Sequence, residues 1–158
     1  MAKVGRAARV ASRQRVETLG NGTSTATAKV IASAEAGELY LIDHNHASDL
    51  SITLPPMQEG AYFKFLWKTA AADNDADVVI TSSEGVNGDF AGTIIEQVTN
   101  GTDGATATET ASGTAKTLRI GSSSDTSIGS YIECVCDGST WYWSGIQIAA
   151  AVGTVAFS

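Results

Sequence analysis

Residues 61–69 read Ala61-Tyr62-Phe63-Lys64-Phe65-Leu66-Trp67-Lys68-Thr69. In an extended strand alternate side chains point to opposite faces. Phe63, Phe65 and Trp67 therefore share one face, and Tyr62, Lys64, Leu66 and Lys68 share the other. Three aromatics on one face make a core face, so this strand is expected at the centre of the fold. Upstream, Leu50, Ile52 and Leu54 alternate with Ser51 and Thr53, the period of a half-buried strand. Pro55-Pro56 stops it, because proline cannot donate to a ladder. Glu38-Leu39-Tyr40-Leu41-Ile42-Asp43 reads as the strand before that.

Downstream, the turn Asp73-Asn74-Asp75-Ala76-Asp77 leads into Val78-Val79-Ile80-Thr81, and Thr93–Val98 follows a turn around Gly88. Residues 100–115 hold almost no large side chain and read as a surface loop or a strand pair of low apolar content. Lys116–Ile120 is extended again. Tyr131–Cys136 and Trp141-Tyr142-Trp143 flank Asp137-Gly138-Ser139-Thr140, a hairpin signal. The chain ends on Ile146–Phe157, with Ala149-Ala150-Ala151 between Ile148 and Val152. No window after residue 37 carries a helical stripe. Many short strands at roughly even spacing predict an all-β domain, an antiparallel β-sandwich or barrel.

Composition agrees. Ala, Gly, Ser and Thr make up 74 of 158 residues, whereas Leu, Ile, Val and Phe make up 33. That apolar supply lies just above the level at which chains stay disordered, so the expected core is lean. No apolar run approaches the roughly 18 residues of a membrane span. The basic start has no apolar segment behind it and does not read as a secretory signal. Two cysteines do not make a disulfide scaffold.

Charge divides the chain. Residues 1–16 carry Lys3, Arg6, Arg9, Arg13 and Arg15 with no acid, whereas residues 17–158 carry five bases and 17 acids, a net −12. Ordering 16 backbones costs about 16–32 kcal/mol. Val4, Val10 and Val16 would return only about 1.5–3 kcal/mol each. The segment therefore needs a partner, and an acidic surface on another chain fits it. As a helix it would line up Lys3, Arg6, Arg9 and Arg13, with Gly5 weakening the turn. Extended, it could add to a sheet edge. The expected organisation is a basic N-terminal arm over 1–19, a linker over 20–28 (Gly and Thr/Ala-rich) and a β domain over 29–158.

Candidate chemistry is sparse. His44-Asn45-His46 and Cys134-Val135-Cys136 could each offer two ligands to zinc. One intervening residue is fewer than the roughly two to four typical of structural zinc cysteines, and nothing in the sequence brings the pairs together. A Cys134–Cys136 disulfide sits near the geometric limit for bridging. Asp73, Asp75, Asp77 and Glu84 match the acidic positions of an EF-hand loop, but Val78 stands where that loop needs glycine. Trp141, Tyr142 and Trp143 could stack on sugars or pack at an interface, with Trp141 and Trp143 on one face. No catalytic residue, metal site or cofactor is expected. The acidic body argues against nucleic acid, and the arm lacks interleaved aromatics.

Two stretches carry a resemblance. Leu50–Phe65 runs through "TLPP" to "GAYFKF", and Gly129–Trp143 reads "GSYIECVCDGSTWYW". Together they resemble small β-proteins on the outside of tailed-phage particles: capsid decoration (cement) proteins, head fibres and tail-fibre tips. The resemblance implies a homotrimer, made in the host cytoplasm, that sits on the outer capsid surface of the virion against the major capsid protein. It implies no catalytic residues. The expected function is a non-enzymatic capsid decoration protein, with Arg6, Arg9, Arg13 and Arg15 on shell carboxylates. The alternative is a fibre or carbohydrate-binding module. Deleting residues 2–16 is expected to leave a folded trimer that cannot coat particles.

Overall fold

A computed structural model describes residues 14–20, 28–44, 48–70, 76–84, 89–99, 106–121, 126–150 and 154–158. Twelve strands form among them: β1 (Val16–Leu19), β2 (Lys29–Val30), β3 (Leu39–Ile42), β4 (Leu50–Thr53), β5 (Tyr62–Trp67), β6 (Val78–Thr81), β7 (Phe90–Val98), β8 (Thr106–Ala115), β9 (Thr117–Ile120), β10 (Tyr131–Cys136), β11 (Trp141–Ala149) and β12 (Val155–Phe157). One 3-10 turn, Ser33–Glu35, is the only helical element described. The strands make a seven-stranded sheet in the order β1-β3-β5-β10-β11-β7-β8 and a five-stranded sheet in the order β12-β9-β6-β4-β2. The two sheets pack as a sandwich.

The expected all-β class holds, but the antiparallel expectation is corrected: both sheets are mixed. From β1 to β6 the chain alternates between the sheets, so successive strands within one sheet run parallel. Val16 pairs with Leu39 and Lys29 pairs with Ile52, which sets a 23-residue circuit around the sandwich. Parallel neighbours need a crossover, for which a helix is the usual carrier. Here a strand in the opposite sheet carries it, so a helix-free sequence still builds parallel pairs. The second half contains the expected hairpin, β10 antiparallel to β11. The low-apolar stretch before Lys116 forms β8, antiparallel to β7.

Side-chain parity divides the core between the sheets. Tyr40, Phe63, Phe65, Trp67, Phe90, Trp141 and Trp143 are all buried, and all belong to the seven-stranded sheet. The five-stranded sheet answers with Leu50, Ile52, Val78, Ile80, Leu118, Ile120 and Val155. Tyr40 stacks on Phe65 at 5.4 Å, and Phe90 meets Trp143 edge-on at 5.2 Å. The expected core set Phe63, Phe65, Trp67 and Trp143 is in place. A lean supply of large side chains suffices because it is concentrated on the two inner faces, each buried side chain contributing about 1.5–3 kcal/mol.

Glycines let neighbouring strands approach closely. Gly145 lies opposite Ile132, whose Cα would stand 2.7 Å from a Cβ added there. Gly92 pairs with Trp143 at φ 122°, a conformation open to glycine. Cys134, between Phe63 and Trp143 in register, is another small filler. The C-terminal strand is tied across the sandwich: the buried Glu96 carboxylate on β7 accepts hydrogen bonds from Thr154 Oγ1 (3.1 Å) and from the Val155 amide.

Candidate interaction surfaces

The root of the basic arm is an ion-pair cluster at the edge of the seven-stranded sheet. β1 runs parallel to β3, and the Leu39 amide donates to the Arg15 carbonyl at 2.9 Å. Arg15 Nη1 lies 2.8 Å from Glu38 Oε1. Lys29 Nζ, from β2, donates to Glu17 Oε2 at 2.7 Å and to Glu35 Oε1 at 2.9 Å. Burial pulls the Lys29 ammonium down, but the hydrogen bonds and charges of Glu17 and Glu35 outweigh it and leave its pKa raised. Burial likewise opposes the Glu35 carboxylate, and Lys29 with the Ala32 amide outweighs it and holds that carboxyl low. Glu17, Glu35 and Glu38 bring carboxylate oxygens within 4.8 Å of one another. Three carboxylates could hold a divalent cation. Here Lys29 and Arg15 already supply the positive charge, so the arrangement works as a latch.

The end of the expected arm joins the sheet. Residues 16–19 belong to the sheet, with Leu19 buried, and Arg15 is committed to a carboxylate of its own subunit. Arg15, expected to face shell carboxylates, pairs with Glu38 of its own chain. Lys3, Arg6, Arg9 and Arg13 lie outside the described residues, as does most of the expected linker. Residues 1–13 carry four bases and no acid.

The aromatic hairpin divides by face. Trp141 and Trp143 are buried and offer no ring to a ligand, whereas Tyr142 is 46% exposed. Asp137 holds the turn, accepting from the Ser139 amide at 2.8 Å, the Thr140 amide at 2.9 Å and the Tyr142 hydroxyl at 3.1 Å. The Ser139 bonds, foremost among these, keep the Asp137 carboxyl below its ordinary range.

Among the described residues the cysteine, histidine and EF-hand-like metal candidates do not come together. Cys134 and Cys136 are buried free thiols on the inner face of β10, and burial pushes the Cys134 thiol well up. His44 is buried, while His46, Asp73 and Asp75 lie outside the described residues. Asp77 pairs with Arg119. Glu84 accepts the Met57 amide at 3.4 Å, and Val78–Thr81 is strand β6 rather than loop.

One surface was not anticipated from the sequence. On the outward face of the seven-stranded sheet, pairing places Leu41 beside Leu66, Leu66 beside Tyr131, Tyr131 beside Ile146 and Ile146 beside Ile95. This continuous apolar row crosses five strands on the solvent side. A second row, Tyr62–Val135–Tyr142, lies four residues along the strands, beyond the polar row Lys64–Glu133–Ser144. Between them the ionic groups are paired: Lys64 Nζ is 3.9 Å from Glu133 Oε2, which accepts the Tyr62 hydroxyl at 2.8 Å, and Lys64 sits 4.6 Å from the centre of the Tyr131 ring. The parity of Trp141 and Trp143 already forced Ile146 and Ile148 outward. The sequence therefore held part of this signal.

No protein-family model matches the chain, and neither a curated protein nor a solved structure does.

Proposed function

We propose that this chain is a structural virion protein: a decoration protein that binds the outer surface of a phage capsid shell and stabilises it, without enzymatic activity. Lys3, Arg6, Arg9 and Arg13 engage carboxylates of the major capsid protein through charge-assisted hydrogen bonds. The observation that carries this reading is the charge division: a +4 segment over residues 1–13, free of acids, joins a −11 remainder at β1. The Arg15–Glu38 and Glu17–Lys29–Glu35 pairs anchor the start of that remainder, so a pull on the arm is transmitted to the sheet. Copies joined in a homotrimer present several arms at once, and weak contacts become durable through high effective concentration.

The test is a variant lacking residues 2–13, which spares the β1 latch, mixed with undecorated shells and sedimented. It is expected to keep its thermal unfolding temperature and to lose coating. Wild-type coating is expected to weaken as salt rises. Undiminished coating by the truncated chain overturns the reading.

A second reading, a glycan-binding module, is favoured by one observation: Tyr62 and Tyr142 flank Val135 on the outward face, each hydroxyl held by a carboxylate. Glycan-array binding that disappears in Y142A would support it.

A further inference from the structure

We propose that the outward face of the seven-stranded sheet is the surface on which copies of this chain pack against one another. This deepens the decoration reading by giving its self-association a place, but it rests on a separate observation, the apolar row Leu41–Leu66–Tyr131–Ile146–Ile95.

The other sheet supplies the comparison. Its outward rows are Ser51–Val79–Arg119–Ala156 and Val30–Thr53–Thr81–Thr117. That is the mixed polar surface expected of a sheet face left in water. The seven-stranded sheet, with the same solvent on its outward side, instead presents Leu, Tyr and Ile along its central row. Ile95 is 41% and Ile146 36% exposed; Val135 (45%) and Tyr142 (46%) stand on the same face beyond the Lys64–Glu133–Ser144 row. Exposed large apolar side chains gathered on one sheet face mark a contact surface.

Area and charge select the occupant. Five strands about 4.8 Å apart and three side-chain rows deep, the middle one polar, span of the order of 500 Å² in projection. That is more than half of the roughly 800 Å² each partner buries in an ordinary stable interface. The face is also close to neutral, with Asp137 beside Tyr142 its one carboxylate unmatched by a cation among the described residues. Lys64 and Glu133 are paired on it, and Lys68 with Asp43 (2.9 Å) close its border. Elsewhere the chain is strongly acidic, and copies repel one another. A near-neutral apolar face is where two acidic copies can meet. An acidic shell, by contrast, is matched by the basic arm and not by this surface.

The test is the double variant I95E/I146E in the full-length chain, followed by analytical ultracentrifugation at micromolar concentration. Both positions are more than one-third exposed, so the new carboxylates stay hydrated in a monomer and circular dichroism should remain that of wild type. The wild type is expected to be oligomeric, and the variant to associate at least tenfold more weakly. V30E, at a position 71% exposed on the five-stranded sheet, is the control and should associate as wild type does. Should the double variant unfold, the milder I146S is expected to weaken association in a folded chain. A monomeric wild type, or a folded face variant that associates normally, overturns the proposal. A monomeric wild type whose glycan binding is lost in the face variant assigns the surface to sugar and also overturns it. The chain lacking residues 2–13 separates the two readings: it should stay oligomeric while losing the shell.

Discussion

The Arg15 guanidinium covers the Glu38 carboxylate at 2.8 Å, the arginine largely in water and the carboxylate 4% exposed. A nearly buried carboxylate deprived of its cation is costly. R15A is therefore expected to destabilise the fold by about 1–3 kcal/mol, because a buried charge loses its partner. R15A/E38Q should recover most of that loss, since the charge itself is gone. Urea unfolding of the two variants and wild type measures both effects, and an unaltered midpoint for R15A would remove Arg15 from the latch.

Lys29 sets the behaviour of the same corner in acid and base. The folded Glu35 carboxyl is held below its ordinary 4.5 by Lys29 and the Ala32 amide acting against burial. Its contribution to stability is complete above that value and is lost as pH falls through the lower, folded one. Asp43 behaves alike, lowered from 3.8 by its bond from Lys68 against burial. Lys29 has the opposite sign: its contribution is complete below 10.5 and lost as pH rises beyond it. K29M is expected to cost about 1–3 kcal/mol at neutral pH. It should also flatten the loss of stability as pH falls below about 4.5, leaving the Asp43 part. Denaturation midpoints across that range provide the check, and an acid profile identical to wild type would contradict it.

Tyr62 predicts an alkaline transition. Burial first, and then its hydrogen bond to Glu133, push its hydroxyl from 10.0 up to about 12. A raised folded value means that the stabilisation is intact below pH 10 and fades between 10 and about 12. Y62F should lose this part of the alkaline dependence. Tyrosinate absorbance and melting temperature, followed together through that window, test it. A wild-type chain in which every tyrosine ionises near pH 10 would refute the environment described for Tyr62.

The sequence alone determined whatever depends on period two within a single strand. The Phe63-Phe65-Trp67 face, the inward Trp141 and Trp143 and the Asp137–Thr140 turn follow from alternation and turn chemistry, which are local. The charge division is also a property of the chain order. Only the tertiary structure decided which strands became neighbours, because winding alternately through two sheets makes parallel pairs that no local pattern records. Register then assembled the row from Leu41 to Ile95 out of five separate strands, each contributing one unremarkable outward residue. The same long-range pairing brought Glu38 under Arg15 and drew Val16–Leu19 into the sheet beside Leu39–Ile42.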